Sequence, residues 1–533
     1  MNELLNTFPL IALYAELHYR LKYIGSRYYI DEPEILADLP YRIEPGYSIP
    51  ILLLIKDSHL YPIHLDRVSI YILKSSKILL NKELDYDCHI ENAWWEDTIY
   101  LNTQGIRGIV QIQVKFNYSV NGKEKQNMNH NFPQSRQKNL ECLISEYNYP
   151  RDAAVQYGDL HYHTNLTEDM VEYGAPLRAS LIAAESMGID FYCNTDHSYD
   201  LDDKPGSWTE IDPELTKWKN SRNEIKCINK DPNLSSFIIP SEELTLHNHK
   251  GNNIHALILN NSDYLPGSGD SGEKFFNTNS EYNTQNVHDY LEDESLCIAA
   301  HPFNSVPFFQ RILLNRGSWK DQDIQHAKIS GLQISNGELD SGYHLGVQKW
   351  ILFLLNGLQK YIYAGNDAHG NFNIYRQIKA PMLTLFEKKE QIFGKYRTGI
   401  YAEKQNDIQS AVEALRDGKC FITNGPLINI TCEIDNKLYK MGSQIKACSG
   451  TIIVHGLSSP EFGEIKYIRI LKGVLGEKKE SVSFTLLNPR KYEVKQNYNI
   501  YADTPCYYRC EIKIDSAKDE IFGLTNPIWF YPS

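Results

Sequence analysis

The sequence predicts a central α/β region, a largely parallel barrel or sheet, held between two β-sandwiches. Three observations predict it. Short runs alternating apolar and polar residues fill positions from about 20 to 150 and return from 427 to 533. Between them, strand-like runs alternate with helical ones. Histidines and carboxylates recur at the ends of those central strands. A chain of 533 residues also exceeds one ordinary core. The expected boundaries are 1–150, 151–426 and 427–533.

The first part is read from SIPILLLI (48–55), VSIYIL (68–73) and IVQIQVKF (109–116), broken by Pro, Gly, Asn and Asp as in an antiparallel sandwich. Asn121-Gly122 suits a hairpin turn. At least one ring of Trp94 and Trp95 belongs to the core. The polar stretch 127–137 reads as a loop.

The pattern changes near Tyr157. A strand over 155–160 leads to GDLHYHTNLTE (158–168). Pro176 opens a helical spacing at Leu177, Leu181, Ala184 and Met187, ended by Gly188. Strands follow at 189–195, 237–239, 254–259, 296–300, 332–335 and 361–364, with helices near 286–293 and over 345–358. Residues 199–233 and 260–283 read as surface insertions. A helix over 408–417, stopped by Gly418, precedes a strand at 420–423. Alternation resumes at 450–455 and 465–471.

Composition narrows the function. The formal net charge is −13, which disfavours a protein that coats nucleic acid. No apolar stretch is long enough to span a bilayer. The N-terminal apolar run is short, lacks a preceding Lys or Arg, and carries Glu3, unlike a secretory leader. The ten cysteines are scattered with no C-x-x-C, which suits reduced thiols and a cytoplasmic protein.

The chemistry is expected where strands end. His161 and His163 are two residues apart, so on a strand they share a face. Glu168 follows them. Asp196-His197, Glu242-Glu243, His255, His301, Asn336, Asp367 and His369 each lie in or after another central strand. At the C-terminal ends of such strands they would converge on one rim. Imidazole with carboxylate suits zinc, manganese or iron. So many ligands imply two or three metals with a shared carboxylate, for which Glu243 is the candidate. His247 and His249 sit in a polar loop and read as solvated. Arg376 and Arg397 are candidates for bidentate binding of a phosphate or carboxylate.

Taken in order, GDLHYHT (158–164), GIDFYCNTDH (188–197), AHP (300–302) and DAH (367–369) resemble the motifs of the PHP (polymerase and histidinol phosphatase) domain. The resemblance covers about 155–425. The ending AVEALRDGKCFITNGP (411–426) is similar to the CehA/McbA, or carbaryl-hydrolase-like, branch. The sequence departs from the pattern at Glu168, where Asp is usual, at SEELT (241–245), and at Asn366, where Ser is usual. The extra histidine of trinuclear members has no counterpart.

The resemblance implies a distorted (β/α)7 barrel. It implies one metal on His161, His163, Glu243 and Asp367, and a second on Glu243, His255 and His301. His197, Glu168 and His369 would complete a second or third site. Asp196 would be a ligand or a base, and His369, Asp196 or His301 would move the leaving-group proton. The implied enzyme is a hydrolase using a metal-bridging hydroxide on a small anionic phosphoester. A carbamate, amide or ester bond is the alternative; a nuclease and a non-catalytic binding module are further ones. The sequence gives no oligomeric state.

Overall fold

The computed structural model describes residues 32–131, 139–167, 174–269 apart from 206, 208 and 209, 278–373, 379–380, 383–384, 391–516 and 520–532. The chain forms two compact units. One comprises 1–146, 168–188 and 369–393; the other comprises 147–167, 189–368 and 394–533. The N-terminal segment, most of the 127–137 loop and part of the 260–283 insertion lie outside the described residues.

In the first unit, strands Glu34–Asp38, Ile49–Lys56 and Trp94–Leu101 form one antiparallel sheet. A second sheet is built on Ile63–Lys74, Lys77–Ile90 and Gly108–Val120. Along Gly108–Val120 every second residue is buried, as the period of a half-buried strand requires. The buried face joins Ile51, Leu53 and Ile55 with Val68, Ile70, Val114 and Phe116 in one core. Asn121 and Gly122 both take positive φ in the turn to Lys123–Met128, as the hairpin reading expected. Trp95 packs against this core.

The second unit carries most of the candidate residues. Its hydrogen-bonded strand order runs Tyr361–Gly365, Ile329–Asn336, Leu296–Ala299, Asn253–Leu259, Phe237–His247, Phe191–Asn194 and Gln156–His163. It continues through Arg397–Ile400 and Cys420–Thr423 into the C-terminal strands Phe522–Thr525, Cys506–Ile514, Ile465–Val474 and Ser481–Leu487.

The expected distorted (β/α)7 barrel between two separate sandwiches is therefore corrected. Strand amounts to 45% and helix to 14%, too little helix for a crossover after each strand. Asn253–Leu259 is antiparallel to both neighbours, which breaks the parallel order. The cause is local. Only residues 248–252 separate it from Phe237–His247, a span that permits a hairpin and excludes a helical crossover. The helix expected near 286–293 is a single 3-10 turn, Val287–Asp289. The sheet does not stop at 426 either: Phe421 to Thr423 pair with Thr525 to Gly523.

Two of the helices begin at an aspartate cap. Asp407 caps Ile408–Arg416 by accepting from Ser410 N at 2.8 Å, and Gly418 ends it at φ +68°. Asp340 caps Ser341–Leu355 in the same way through Tyr343 N. Trp350 and Phe353 of that helix pack on Leu332 and Ile334 of the sheet. In the C-terminal part, Lys437–Lys440, Leu427–Ile434, Ser449–Leu457 and Glu493–Tyr501 form a four-stranded sheet sharing a core with the end of the long one. All ten cysteines are free. No helix among the described residues is long and apolar enough to cross a membrane.

Candidate metal centre

His161 and His163 lie on the strand Gln156–His163 itself, both fully buried. Their Nε2 atoms face each other at 3.1 Å. The other ring nitrogens are taken. His161 Nδ1 is 2.9 Å from Gln333 Oε1, which can only accept, so that nitrogen carries the hydrogen. His163 Nδ1 is 3.3 Å from Thr167 Oγ1, whose own hydrogen goes to Asp196 at 2.9 Å. With Nδ1 so engaged, both rings turn Nε2 inward as the atom left for a metal.

Glu243 stands at the centre. Its Oε1 is 2.8 Å from His255 Nδ1, 3.1 Å from His301 Nε2 and 3.4 Å from His161 Nε2. Its Oε2 is 3.0 Å from His197 Nδ1 and 3.5 Å from His163 Nε2. Asp367 Oδ1 is 3.2 Å from the Nε2 atoms of both His161 and His163. Within the second unit lie two donor groups, each with its ligand atoms within 4.8 Å of one another: His161, His163, Glu243 and Asp367, and His197, Glu243 and His255.

Electrostatics are strongly coupled. Burial acts to raise the Glu243 carboxyl, but His255 and His161 overcome it and hold it well below the usual range. Asp367 is likewise held low against burial, by His161 and His163. Burial alone would lower His161; Asp367 and Glu243 reverse this and lift it to about 9. Carboxylates that draw a proton onto His161 call for positive charge within the cluster. That is the observation by which the donor set fits a divalent metal.

Backbone strain falls on the same residues. His301 has φ +28° and Asp367 φ +52°, left-handed values uncommon for residues that carry a side chain. Asp367 is held there by its backbone N, which donates to His161 O at 2.8 Å, and by Asn336, whose amide donates to Asp367 Oδ2 at 3.0 Å. His301 is the most exposed imidazole of the group, with 16% of its side chain accessible.

The second glutamate of the pair is resolved. Glu242 points to the opposite face, where Arg222, Trp218 and Ser198 bind it. The spacing of Glu243 to Leu244-Thr245 favours it for the inward role, and alternation sends its neighbour to the opposite face.

Several expected roles change. Asp196 accepts from Thr164 N at 2.7 Å, Thr164 Oγ1 at 2.8 Å and Thr167 Oγ1 at 2.9 Å. Its oxygens fasten the loop behind His163, so it is a positioning residue rather than a base or ligand. Arg397 is fully buried, its guanidinium 3.8 Å from the Tyr149 ring centroid and its Nε donating to Gly394 O. It is a core residue and not a substrate clamp. Asn336 is buried and spent on Asp367 and Gln333, so it too positions rather than binds. His369, on the short strand Ala368–His369, is buried, as its expected role as a ligand requires. Glu168 and Arg376 lie outside the described residues. His247 and His249 stay outside the donor groups, bound to Thr278 O and Asp323.

Sequence reasoning missed four contributors. Gln333 orients His161 and, through Asn336, ties it to Asp367. Thr167 orients His163. Asp159, buried and pushed up to about 6 by desolvation against its hydrogen bonds, holds Asn366 beside the strand end. Arg316 places Nη2 2.9 Å from His255 Nδ1. Only Gln333 had a local signal, a lone amide inside an apolar strand.

Comparison with known proteins adds little. No family model matches the chain, and no curated protein does. Among solved structures, a Paenibacillus sp. cycloisomaltooligosaccharide glucanotransferase complexed with cycloisomaltoheptaose matches at 8% identity over 93% of this chain and 71% of its own, with a TM-score of 0.18. A glycosyl hydrolase family 2 member from Bacteroides cellulosilyticus DSM 14838 matches at 11% identity over 94% of this chain, with a TM-score of 0.16; the chain spans 63% of it. Likenesses this weak carry no argument about fold or activity.

Proposed function

We propose that the chain is a metal-dependent hydrolase related to the PHP enzymes, with a small anionic phosphoester as substrate. The observation that supports this reading is Glu243, buried among five imidazoles with Asp367 beside it. A structural ion would need four ligands; the surplus of donors around one carboxylate suits a working centre.

A divalent ion bound here would supply Lewis acidity toward an ester oxygen and toward water. His161, His163, Glu243 and Asp367 would hold it. The chain's own residues set the rest. Gln333 and Thr167 fix the imidazole tautomers. Asn336 and the His161 carbonyl hold Asp367 in its strained conformation. Glu243 offers one oxygen to each donor group. His301, the least buried imidazole of the group, would deliver a proton from Nε2 to a leaving group. Burial of the others keeps bulk water from competing for the donors.

The test is a hydrolysis panel of a phosphomonoester, a phosphodiester, a carbamate and an amide, with zinc or manganese supplied. Phosphoester turnover is expected, with a loss of about 10²-fold or more in His301→Ala and no turnover in His161→Ala. Turnover of the carbamate or amide alone would replace the phosphoester reading with its alternative. No turnover of any substrate by the metal-loaded protein would end the enzymatic reading.

A further inference from the structure

Gln333 has every hydrogen-bonding position of its side chain taken by the strand ends that carry the centre. It is fully buried, and a buried amide is costly unless its oxygen and both amide hydrogens find partners. Its Oε1 lies 3.3 Å from His301 N and 2.9 Å from His161 Nδ1. Its Nε2 donates to Ser335 O at 3.3 Å and to Asn336 Oδ1 at 2.7 Å. The backbone N–H of His301 can only donate, which fixes the amide's orientation without reference to any ring. Asn336 carries the link on to Asp367 Oδ2 at 3.0 Å.

The sheet explains why a side chain is needed at this point. The ladder between Leu296–Ala299 and Ile329–Asn336 ends at Ala299 and Leu332. His301 lies beyond it at φ +28°, and its backbone N is taken by the Gln333 side chain in place of a strand carbonyl. Residues three apart face opposite sides of a regular strand. Here the register against Tyr361–Gly365 shifts between Gln333 and Ser335, which brings Gln333 and Asn336 together. The His161 and His301 rings lie 18° from parallel with centroids 5.6 Å apart, and both Nε2 atoms are within 3.4 Å of Glu243 Oε1.

We infer that Gln333 is the positioning residue that sets His301 against the His161–Asp367 pair, by gripping its backbone where strand pairing stops. This rests on the proposed hydrolase reading and does not depend on the charge of any ring.

The experiment measures kcat, KM and retained zinc for the full chain with phenyl phosphate and diphenyl phosphate. Gln333→Met, close in volume but without the amide, is expected to retain zinc and KM and to lose about 10-fold or more in kcat. In a His301→Ala background the same change is expected to cost nothing further, since the group being placed is gone. With zinc saturating, Gln333→Glu is expected to recover most of the wild-type kcat, because it keeps an oxygen for His301 N. A merely structural amide would give losses that add in the double variant. That result, or an unchanged kcat in Gln333→Met, would overturn the inference. Loss of zinc from Gln333→Met would also overturn it, by assigning the amide to the ligands alone. Should Gln333→Met not fold, Gln333→Glu decides the matter: a fall to the His301→Ala level in that folded, zinc-loaded variant would overturn the placement. No turnover of either ester by zinc-loaded wild type would instead overturn the hydrolase reading, and this placement with it.

Discussion

Glu242 and Glu243 are adjacent in sequence and do opposite work. Glu243→Gln removes the charge shared by both donor groups, and bound metal is expected to be lost. Glu242→Gln is expected to keep its metal and lose about 1–3 kcal/mol of stability, because Arg222 would lose a charged partner at 2.7 Å. Metal analysis and denaturant unfolding of the two variants check this; the reverse pattern would mean the inward carboxylate is misassigned. That the two face opposite ways is legible from strand alternation; that Glu243 is the inward one rests on its spacing to Leu244-Thr245. The role of Asp196 is not legible. A carboxylate beside a histidine looks the same in sequence whether it binds metal or ties down a loop. Here Thr164 and Thr167 make the difference, through a geometry that exists only after folding. Arg397 deceived for a similar reason: Tyr149 and Tyr157, far away in sequence, close over it.

A second residue-scale prediction lies away from the centre. His288 is 3% exposed and stacks on His326 with ring centroids 4.1 Å apart. Burial, with His326, Lys328 and Lys360 nearby, lowers its pKa to about 4, against a weaker opposing bond at Thr284. The unfolded chain therefore takes up this proton first. Stability is full above about pH 6.5 and falls as pH drops toward 4. His288→Phe, which keeps a ring on His326, is expected to flatten that fall in a pH series of melting temperatures. An unchanged slope would assign the loss elsewhere.

Among the elements, the meeting of Tyr361–Gly365 with Gln156–His163 governs the site. A Cβ on Gly365 would lie 2.6 Å from His161 Cβ and 2.7 Å from His161 N, and backbone cannot yield. Gly365→Ala is expected to cost about 1–3 kcal/mol and to weaken metal binding, both readable by unfolding with and without zinc. Full metal affinity in the variant would show that the two strands can separate without harm. The ligand-bearing strands were recognisable because each couples an apolar run to a His or carboxylate. Their directions were not. The short polar turn 248–252 held the clue to the antiparallel hairpin, but the alternation of strand and helix around it suggested a parallel order.

At the scale of the molecule, one sheet carries both the ligand strands and the C-terminal ones. Cys420–Thr423 leaves the centre's neighbourhood and pairs directly with Phe522–Thr525. Asn526 fastens this junction, its side chain bonding Ile362 N and O and Cys420 O. A chain ended at residue 426 is expected to lose cooperative unfolding. Retention of a sharp transition would show that the C-terminal strands form a separate domain. Alternating runs on either side of 426 revealed strands but not which sheet they join, since pairing partners a hundred residues apart leave no local trace.

The proposed hydrolysis depends on a metal held by the buried imidazoles and carboxylates. Anomalous diffraction at the zinc edge, from crystals grown with zinc, tests it most directly. The expected result is a peak at about 2.0–2.2 Å from His161 Nε2, His163 Nε2 and oxygens of Glu243 and Asp367. A zinc-saturated crystal with no peak among those four residues would contradict it.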